Sequence, residues 1–218
     1  GGPNGLGFYA PAHATLPSCV MRSIVPPSAV LGPRCVVEYS ELGEGASVGG
    51  GSLVSCAAIP PGVAIPPGVL LQTIAIRRQE GFGFVSHLLG TTDNIKGQGP
   101  ADKVMWLGRS LKEACTCAGI PEETLWADAT AGMLWDARLF AVCATREASL
   151  LSTLALHARL SGDAAALDKL TAVDAALGCG SSLPEGSIVE WVSLGESIRG
   201  KDAREQLRFR REVDARTA

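Results

Sequence analysis

Aliphatic residues recur at every sixth position early in the chain: Ile24, Val30, Val36, Leu42, Val48 and Val54. Four residues after each stands Ser28, Arg34, Ser40, Ala46, Ser52 or Ala58, small in all cases but one. The phase then slips by one residue and resumes at Ile59, Ile65 and Leu71. A period of six fits neither a helix nor an alternating strand. It is the hexapeptide repeat of a left-handed parallel β-helix. Each hexapeptide makes one short strand and one turn, and three close a triangular coil. The aliphatic residue points inward, and the small one sits near a corner where a large side chain would clash. At roughly eighteen residues per coil, residues 18–76 make about three coils. The unpaired backbone at each end needs a cover. Residues 1–17 are expected to cap one end and the segment after Arg77 the other.

From residue 77 the pattern becomes helical. Pro100 is expected to open a helix with Val104, Leu107, Leu111, Ala114 and Ala118 on one face, ending at Gly119. Pro121-Glu122-Glu123 reads as the first turn of a short helix. Residues 147–160 carry an apolar stripe of Leu150, Leu151 and Leu154 with His157, and residues 163–177 a second one ending at Gly178. Residues 188–192 read as a strand. Ser193-Leu194-Gly195-Glu196 is a capping box, with a charged helix expected to follow to about residue 214. The fold expected is mixed β plus α: a leader (1–17), a left-handed β-helix (18–76) and a mainly helical region (77–218).

Composition agrees with this division. Residues 1–76 hold 12 of the 26 Gly and 10 of the 13 Pro, but only five charged side chains, Arg22, Arg34, Glu38, Glu41 and Glu44. The stretch from Gly45 to Ile76 has no charge and mimics a membrane span, but Pro60, Pro61, Pro66 and Pro67 exclude a spanning helix. A net charge of −3 gives no reason to expect nucleic acid or an anionic membrane as partner. The seven Cys are odd in number and show no metal-ligand spacing, so reduced thiols and a cytoplasmic location are expected. The Gly1-Gly2-Pro3 start and Thr217-Ala218 end suggest a piece of a longer polypeptide.

The chemistry is sparse. Hexapeptide coils raise an acyltransferase reading, which needs a His base near the coils. The three His are His13, His87 and His157, none within residues 18–76. Gly49-Gly50-Gly51 falls inside the repeat and is explained by a turn, and Glu80-Gly81-Phe82-Gly83-Phe84 lacks the helix and Lys of a phosphate loop. His157 on an apolar stripe reads as a core or boundary residue. Asp136 and Arg138 either bind a sugar phosphate or pair locally.

Several segments nevertheless resemble one family. They are Ser18-Cys19-Val20, Val36-Val37-Glu38-Tyr39-Ser40 and Val69-Leu70-Leu71-Gln72-Thr73 in the coils; Gly90-Thr91-Thr92-Asp93-Asn94-Ile95-Lys96; Leu134-Trp135-Asp136-Ala137-Arg138-Leu139-Phe140; and Ser193-Leu194 through Asp202 and Arg208. Together they resemble the GDP-fucose pyrophosphorylase domain. That domain occurs alone in fucose-1-phosphate guanylyltransferase and as the N-terminal part of animal L-fucose kinase. Ala141 stands where the family commonly has a Pro. The resemblance implies a parent enzyme of L-fucose salvage, using Mg and ATP or GTP on a sugar phosphate or nucleotide. It implies a nucleotidyltransferase-like domain before the coils and, in the kinase, an ATP-binding domain after them. No cofactor and no catalytic residue are assigned to this segment, which is expected to be scaffold and inactive by itself. Asp93, Asn94, Lys96, Asp136 and Arg138 are the candidate substrate contacts. The alternatives are a non-enzymatic oligomerisation module, with homo-oligomers formed through the β-helix, and the hexapeptide acyltransferase.

Overall fold

The computed structural model describes residues 6–9, 18–79, 81–127, 131–179 and 190–217. The chain begins with strand β1 (Leu6–Tyr9), which lies antiparallel on β2 (Ser18–Met21). The rest of the expected leader cap lies outside the described residues. The coils follow as β3 (Val30–Leu31), β4 (Val36–Glu38), β5 (Glu41–Leu42), β6 (Ser47–Val48), β7 (Leu53–Ser55), β8 (Ala58–Ile59), β9 (Ala64–Ile65) and β10 (Val69–Arg77). Three parallel ladders, β2-β4-β7-β10, β3-β6-β9 and β5-β8, make a solenoid of about three turns.

The coil is one residue shorter than the repeat suggested. Val20 pairs with Val37, Val37 with Val54, and Leu31 with Val48, a step of 17 each time. The inward residues run Val20, Val25, Leu31, Val37, Leu42, Val48, Val54, Ile59, Ile65 and Leu71. The phase slip seen once in the sequence therefore occurs in every coil. Val30, expected inside, is 61% exposed, while Leu31 beside it is 1% exposed. The short side is the corner holding Arg22, Tyr39 and Cys56, all in the left-handed region with φ of 44°, 45° and 55°. One left-handed residue turns the chain there in less length than a two-residue turn needs.

Corner hydroxyls join coil to coil. Ser18 Oγ accepts from Cys35 N at 3.1 Å, Ser52 Oγ from Val69 N at 3.2 Å, Ser23 Oγ from Ser40 N at 3.1 Å and Ser40 Oγ from Ala57 N at 3.1 Å. Small residues are required where the stack is tightest: a Cβ on Gly49 would lie 2.4 Å from Pro67 N. The ladder also has a built terminus. Gly43 N donates to Ile59 O at 2.8 Å and Gly49 N to Ile65 O at 2.9 Å. One coil later the same two positions hold Pro60 and Pro66, which have no N–H to leave unpaired.

Beyond the coils, β10 turns back antiparallel into β11 (Phe82–Gly90), the last strand of the same sheet. Next come β12 (Gln98–Gly99), β13 (Met105–Trp106), β14 (Arg109–Ser110) and α1 (Leu111–Ala118). The helix expected from Pro100 starts only at Leu111. Leu107 and Gly108 both have positive φ, 53° and 78°, and make the tight turn of a β13–β14 hairpin. Trp106 Nε1 donates to buried Leu88 O at 2.7 Å, so a tertiary contact overrides the helical spacing. Ser110 and Glu113 then form a capping box. Short 3-10 turns cover Glu122–Thr124 and Leu134–Asp136, with β15 (Gly132–Met133) and β16 (Phe140–Ala141) beside the second.

Helices α2 (Arg146–Ser161) and α3 (Ala164–Leu177) match their stripes. Leu150, Leu151, Leu154 and Ala158 of α2 and Leu170 of α3 join the solenoid core and plug its last coil. Strand β17 (Trp191–Val192) pairs with β16, while the earlier part of that expected strand lies outside the described residues. The single charged helix expected after Ser193 is two, α4 (Leu194–Arg199) and α5 (Ala203–Thr217). Asp202 makes the break by accepting from Glu205 N at 2.9 Å and capping α5.

The corner hydroxyls lead to a stability prediction. Ser40→Ala and Ser52→Ala each strand a buried N–H and should cost about 1–3 kcal/mol in urea unfolding. Ser47→Ala, on the outer side of β6, should cost less than about 0.5 kcal/mol. Equal small effects at all three positions would remove the hydroxyls from the account of coil stacking.

Candidate functional site

The three non-solenoid segments that resemble the family meet at one place. The first follows β11. Asp93 is half-buried and accepts from Gly90 N at 2.7 Å and Leu107 N at 3.1 Å, so its carboxylate fixes the loop and the β13–β14 hairpin. Burial pushes its carboxyl above the usual range, partly offset by those N–H bonds. Asn94 is exposed, and its Oδ1 accepts from Lys96 N at 3.3 Å in an Asx turn. Lys96 is exposed. Between them, Ile95 O accepts from Trp135 N at 2.9 Å, which ties this loop to the second segment.

The second segment is the 3-10 turn Leu134–Asp136 and the residues after it. Asp136 is half-buried. Arg138 reaches the third segment: its Nε and Nη2 donate to Glu196 Oε1 at 3.0 and 2.6 Å. Glu196 also accepts from Ser193 N at 2.9 Å as the third helical residue of the capping box on α4. The Arg138 guanidinium and these bonds hold the Glu196 carboxyl below its ordinary range. Gly195 packs face-on to the Trp135 indole, where an added Cβ would lie 2.5 Å from Nε1. The spacing Trp135-x-x-Arg138 thus places an indole and a guanidinium against two neighbouring residues of one helix start.

The five candidates stand on the first two segments, and the sequence marks Glu196 as a helix cap. The structure makes it the partner of Arg138, so Arg138 presents a cation already held by a carboxylate. Lys96, Asn94 and Asp136 remain the polar groups of the junction that face solvent or stand half-buried. An ammonium, an amide and a carboxylate suit a hydroxylated, anionic ligand. Among the described residues, no three His, Cys, Asp or Glu side chains come together as a metal cage.

Beneath the junction lies a buried polar pair absent from the sequence reading. His87 on β11 is fully buried and sits edge-on to Phe140, with ring centroids 4.7 Å apart. Its Nε2 lies 2.8 Å from Ser197 Oγ on α4. That hydroxyl also reaches Leu194 O at 2.9 Å. The economical arrangement has Nε2–H donating to Oγ and Oγ–H donating to a helix carbonyl. This leaves the Nδ1 lone pair without a partner among the described residues, which is cheaper than an orphaned donor. Burial pushes the imidazole down to about 3, so it is neutral at pH 7. With no solvent access, the pair positions α4 rather than reacting. His157 is half-buried on α2, and all seven thiols are unbridged. No helix among the described residues is long and apolar enough to cross a membrane.

The family model described as the fucose pyrophosphorylase domain matches residues 9–145. The match takes in the whole solenoid, the β10–β11 hairpin and the first two segments of the junction. Comparison with curated proteins and with solved structures gave no match.

His87 predicts a pH dependence. A base with a folded-state value below its unfolded one takes up its proton preferentially in the unfolded chain. Its contribution is therefore complete above about pH 6.5 and is lost as pH falls toward 3. Between pH 7.5 and 5 the wild type should lose about 2 kcal/mol more stability than His87→Gln. Parallel stability curves for the two proteins, measured by urea unfolding, would contradict a buried neutral imidazole.

Proposed function

This chain belongs to the fucose pyrophosphorylase domain family, and on that premise we propose that it is the β-solenoid segment of an L-fucose salvage enzyme. The family match over residues 9–145 carries the proposal. The parent we assign is an L-fucose kinase that carries a GDP-fucose pyrophosphorylase-like domain and makes fucose 1-phosphate from L-fucose and ATP. The alanine-rich texture of the C-terminal region favours that branch. The second reading, fucose-1-phosphate guanylyltransferase, is favoured by the family's own description as a pyrophosphorylase.

In either parent, Mg and ATP or GTP belong to other parts of the polypeptide. This segment supplies scaffold, a surface for contact between copies in the cytoplasm, and one wall of a sugar-phosphate pocket. The wall is the junction of Asn94, Lys96 and Asp136, with Asp93 and the Arg138–Glu196 pair holding its shape. Lys96 would meet the phosphate, and Asn94 and Asp136 the sugar hydroxyls. A wall of this kind binds and orients, and the bond-making groups stand elsewhere.

Assay of the full-length polypeptide separates the branches. ATP-dependent phosphorylation of L-fucose assigns the kinase. Formation of GDP-fucose from GTP without phosphorylation of the free sugar assigns the guanylyltransferase, and neither activity overturns the salvage reading. In a guanylyltransferase parent, Lys96→Met and Asp136→Asn should each raise KM for fucose 1-phosphate about tenfold, with kcat within about twofold; in a kinase parent they should weaken inhibition by fucose 1-phosphate, the product, about tenfold. Unchanged KM with normal melting would return both residues to the scaffold. Arg138→Ala should weaken fucose 1-phosphate handling too, but it also frees Glu196, so its kinetics are compared at equal thermal stability.

A further inference from the structure

A cavity of about 480 Å³ lies between the last coil and helices α2 and α3, away from the junction. Its volume is within the range of small-ligand sites. Pro66 and Pro67 of the coil form one wall, and Leu154 and Leu170 of the two helices the other. Its polar side chains are His157, Ser161 and Asp163, and Ser161 Oγ already donates to His157 O at 2.9 Å. His157 is half-buried, and neither ring nitrogen has a partner among the described residues. Burial lowers its value from the ordinary 6.5, so the ring is neutral at pH 7 and can donate from one nitrogen and accept at the other. Asp163 uses Oδ1 to accept from Ala166 N at 2.9 Å, which leaves Oδ2 for a ligand.

The third polar group comes from the end of the ladder. Ser47 N donates along the solenoid axis to Val63 O at 3.0 Å. Ala64 stands one coil after Ser47, and no further coil follows to receive its N–H. That N–H points out of the last coil, toward the space that Ala64 lines.

This set of groups excludes most occupants. No Lys or Arg lines the cavity, and Asp163 would repel a phosphate. A peptide added as a strand would meet Pro66 and Pro67, which offer no N–H, and would find an open main-chain donor only at Ala64. What remains is a neutral molecule with one aliphatic face and an edge that both donates and accepts.

We infer that the cavity binds a neutral deoxyhexose in its unphosphorylated form, methyl side against Pro66 and Leu154, vicinal hydroxyls on Ala64 N–H, His157 and Asp163. The choice of a deoxyhexose among neutral polyols rests on the fucose reading above; the site itself rests on the cavity and its three polar groups. It is separate from the wall at Lys96, which takes the phosphorylated sugar.

Saturation-transfer NMR on the 218-residue chain tests this, with L-fucose, L-galactose and L-fucose 1-phosphate as probes. L-galactose differs from L-fucose only by a hydroxyl on C6. L-fucose should give its strongest transfer at the methyl group and at least threefold more than L-galactose. His157→Phe and Asp163→Asn, which keeps the α3 cap, should each cut the L-fucose signal at least fivefold. Lys96→Met and Asp136→Asn should leave it unchanged. Equal signals from the two neutral sugars, or an L-fucose signal that survives His157→Phe, overturns the site. A signal lost in Lys96→Met but not in His157→Phe overturns it as well, while upholding the junction. No transfer from any sugar at 50 mM, about fiftyfold above a Kd of about 1 mM, also overturns it, and the salvage reading then stands or falls by the parent's assays.

Discussion

Outside the turns, the backbone N–H groups of the solenoid find their acceptors one coil away, because the short strands of a single coil do not pair with one another. That demand fixes the rest. The step between coils is 17 residues throughout, and each side chain on the axis meets a counterpart of the same kind. Charges cannot stack in this way, so residues 45–76 carry none. Where the stack is tightest, the corner positions hold Ser, Ala and Gly. Where a corner is too tight for main chain to reach main chain, a serine hydroxyl closes the gap.

The same constraint decides where the helices go. Arg22, Tyr39, Cys56 and Thr73 form one column, spaced by 17, along the short corner. Helix α5 lies along it and meets each in turn. Gln206 Nε2 donates to Thr73 O at 3.0 Å, Phe209 packs with Cys56, Arg210 lies over the Tyr39 ring at 4.8 Å, and Asp214 pairs with Arg22 at 2.9 Å. At Arg22, Tyr39 and Cys56 the left-handed backbone turns the side chain outward, where a helix can use it. Arg146 reinforces the seam from α2. Its guanidinium sits 4.0 Å from the Phe209 ring centroid and 4.8 Å from that of Phe84, and donates to Cys56 O at 3.2 Å. Burial pulls it down to about 10, so it still carries its charge at pH 7.

The solenoid was legible because its repeat is written in aliphatic residues, but the length of the coil was not. Ile24-Val25, Val30-Leu31 and Val36-Val37 are apolar doublets, and hydrophobicity alone cannot say which member points in. Where Glu41, Ser47, Ala58 and Ala64 precede Leu42, Val48, Ile59 and Ile65, the inward residue is unambiguous. The α2 and α3 stripes and the Ser193–Glu196 box were legible for a similar reason: each is local. What failed was tertiary. The run from Pro100 has helical spacing, but Asp93 takes the N–H of Leu107 and Leu88 takes the indole of Trp106, so the chain turns as a hairpin there instead. At the junction the motif residues were visible singly. The Arg138–Glu196 pair, 58 residues apart, was not.

That pair explains why the junction depends on the end of the chain. Glu196 binds Arg138 and caps α4, and Ser197, the next residue, binds His87 on β11. Helix α4 is only six residues long and too short to hold itself. It is held instead by the guanidinium on one side and the buried imidazole on the other. Through His87 the contact returns to β11, the strand that runs beside the solenoid sheet. The junction is therefore held for the same reason as the coils: His87, one of its supports, stands in a strand whose register is already fixed.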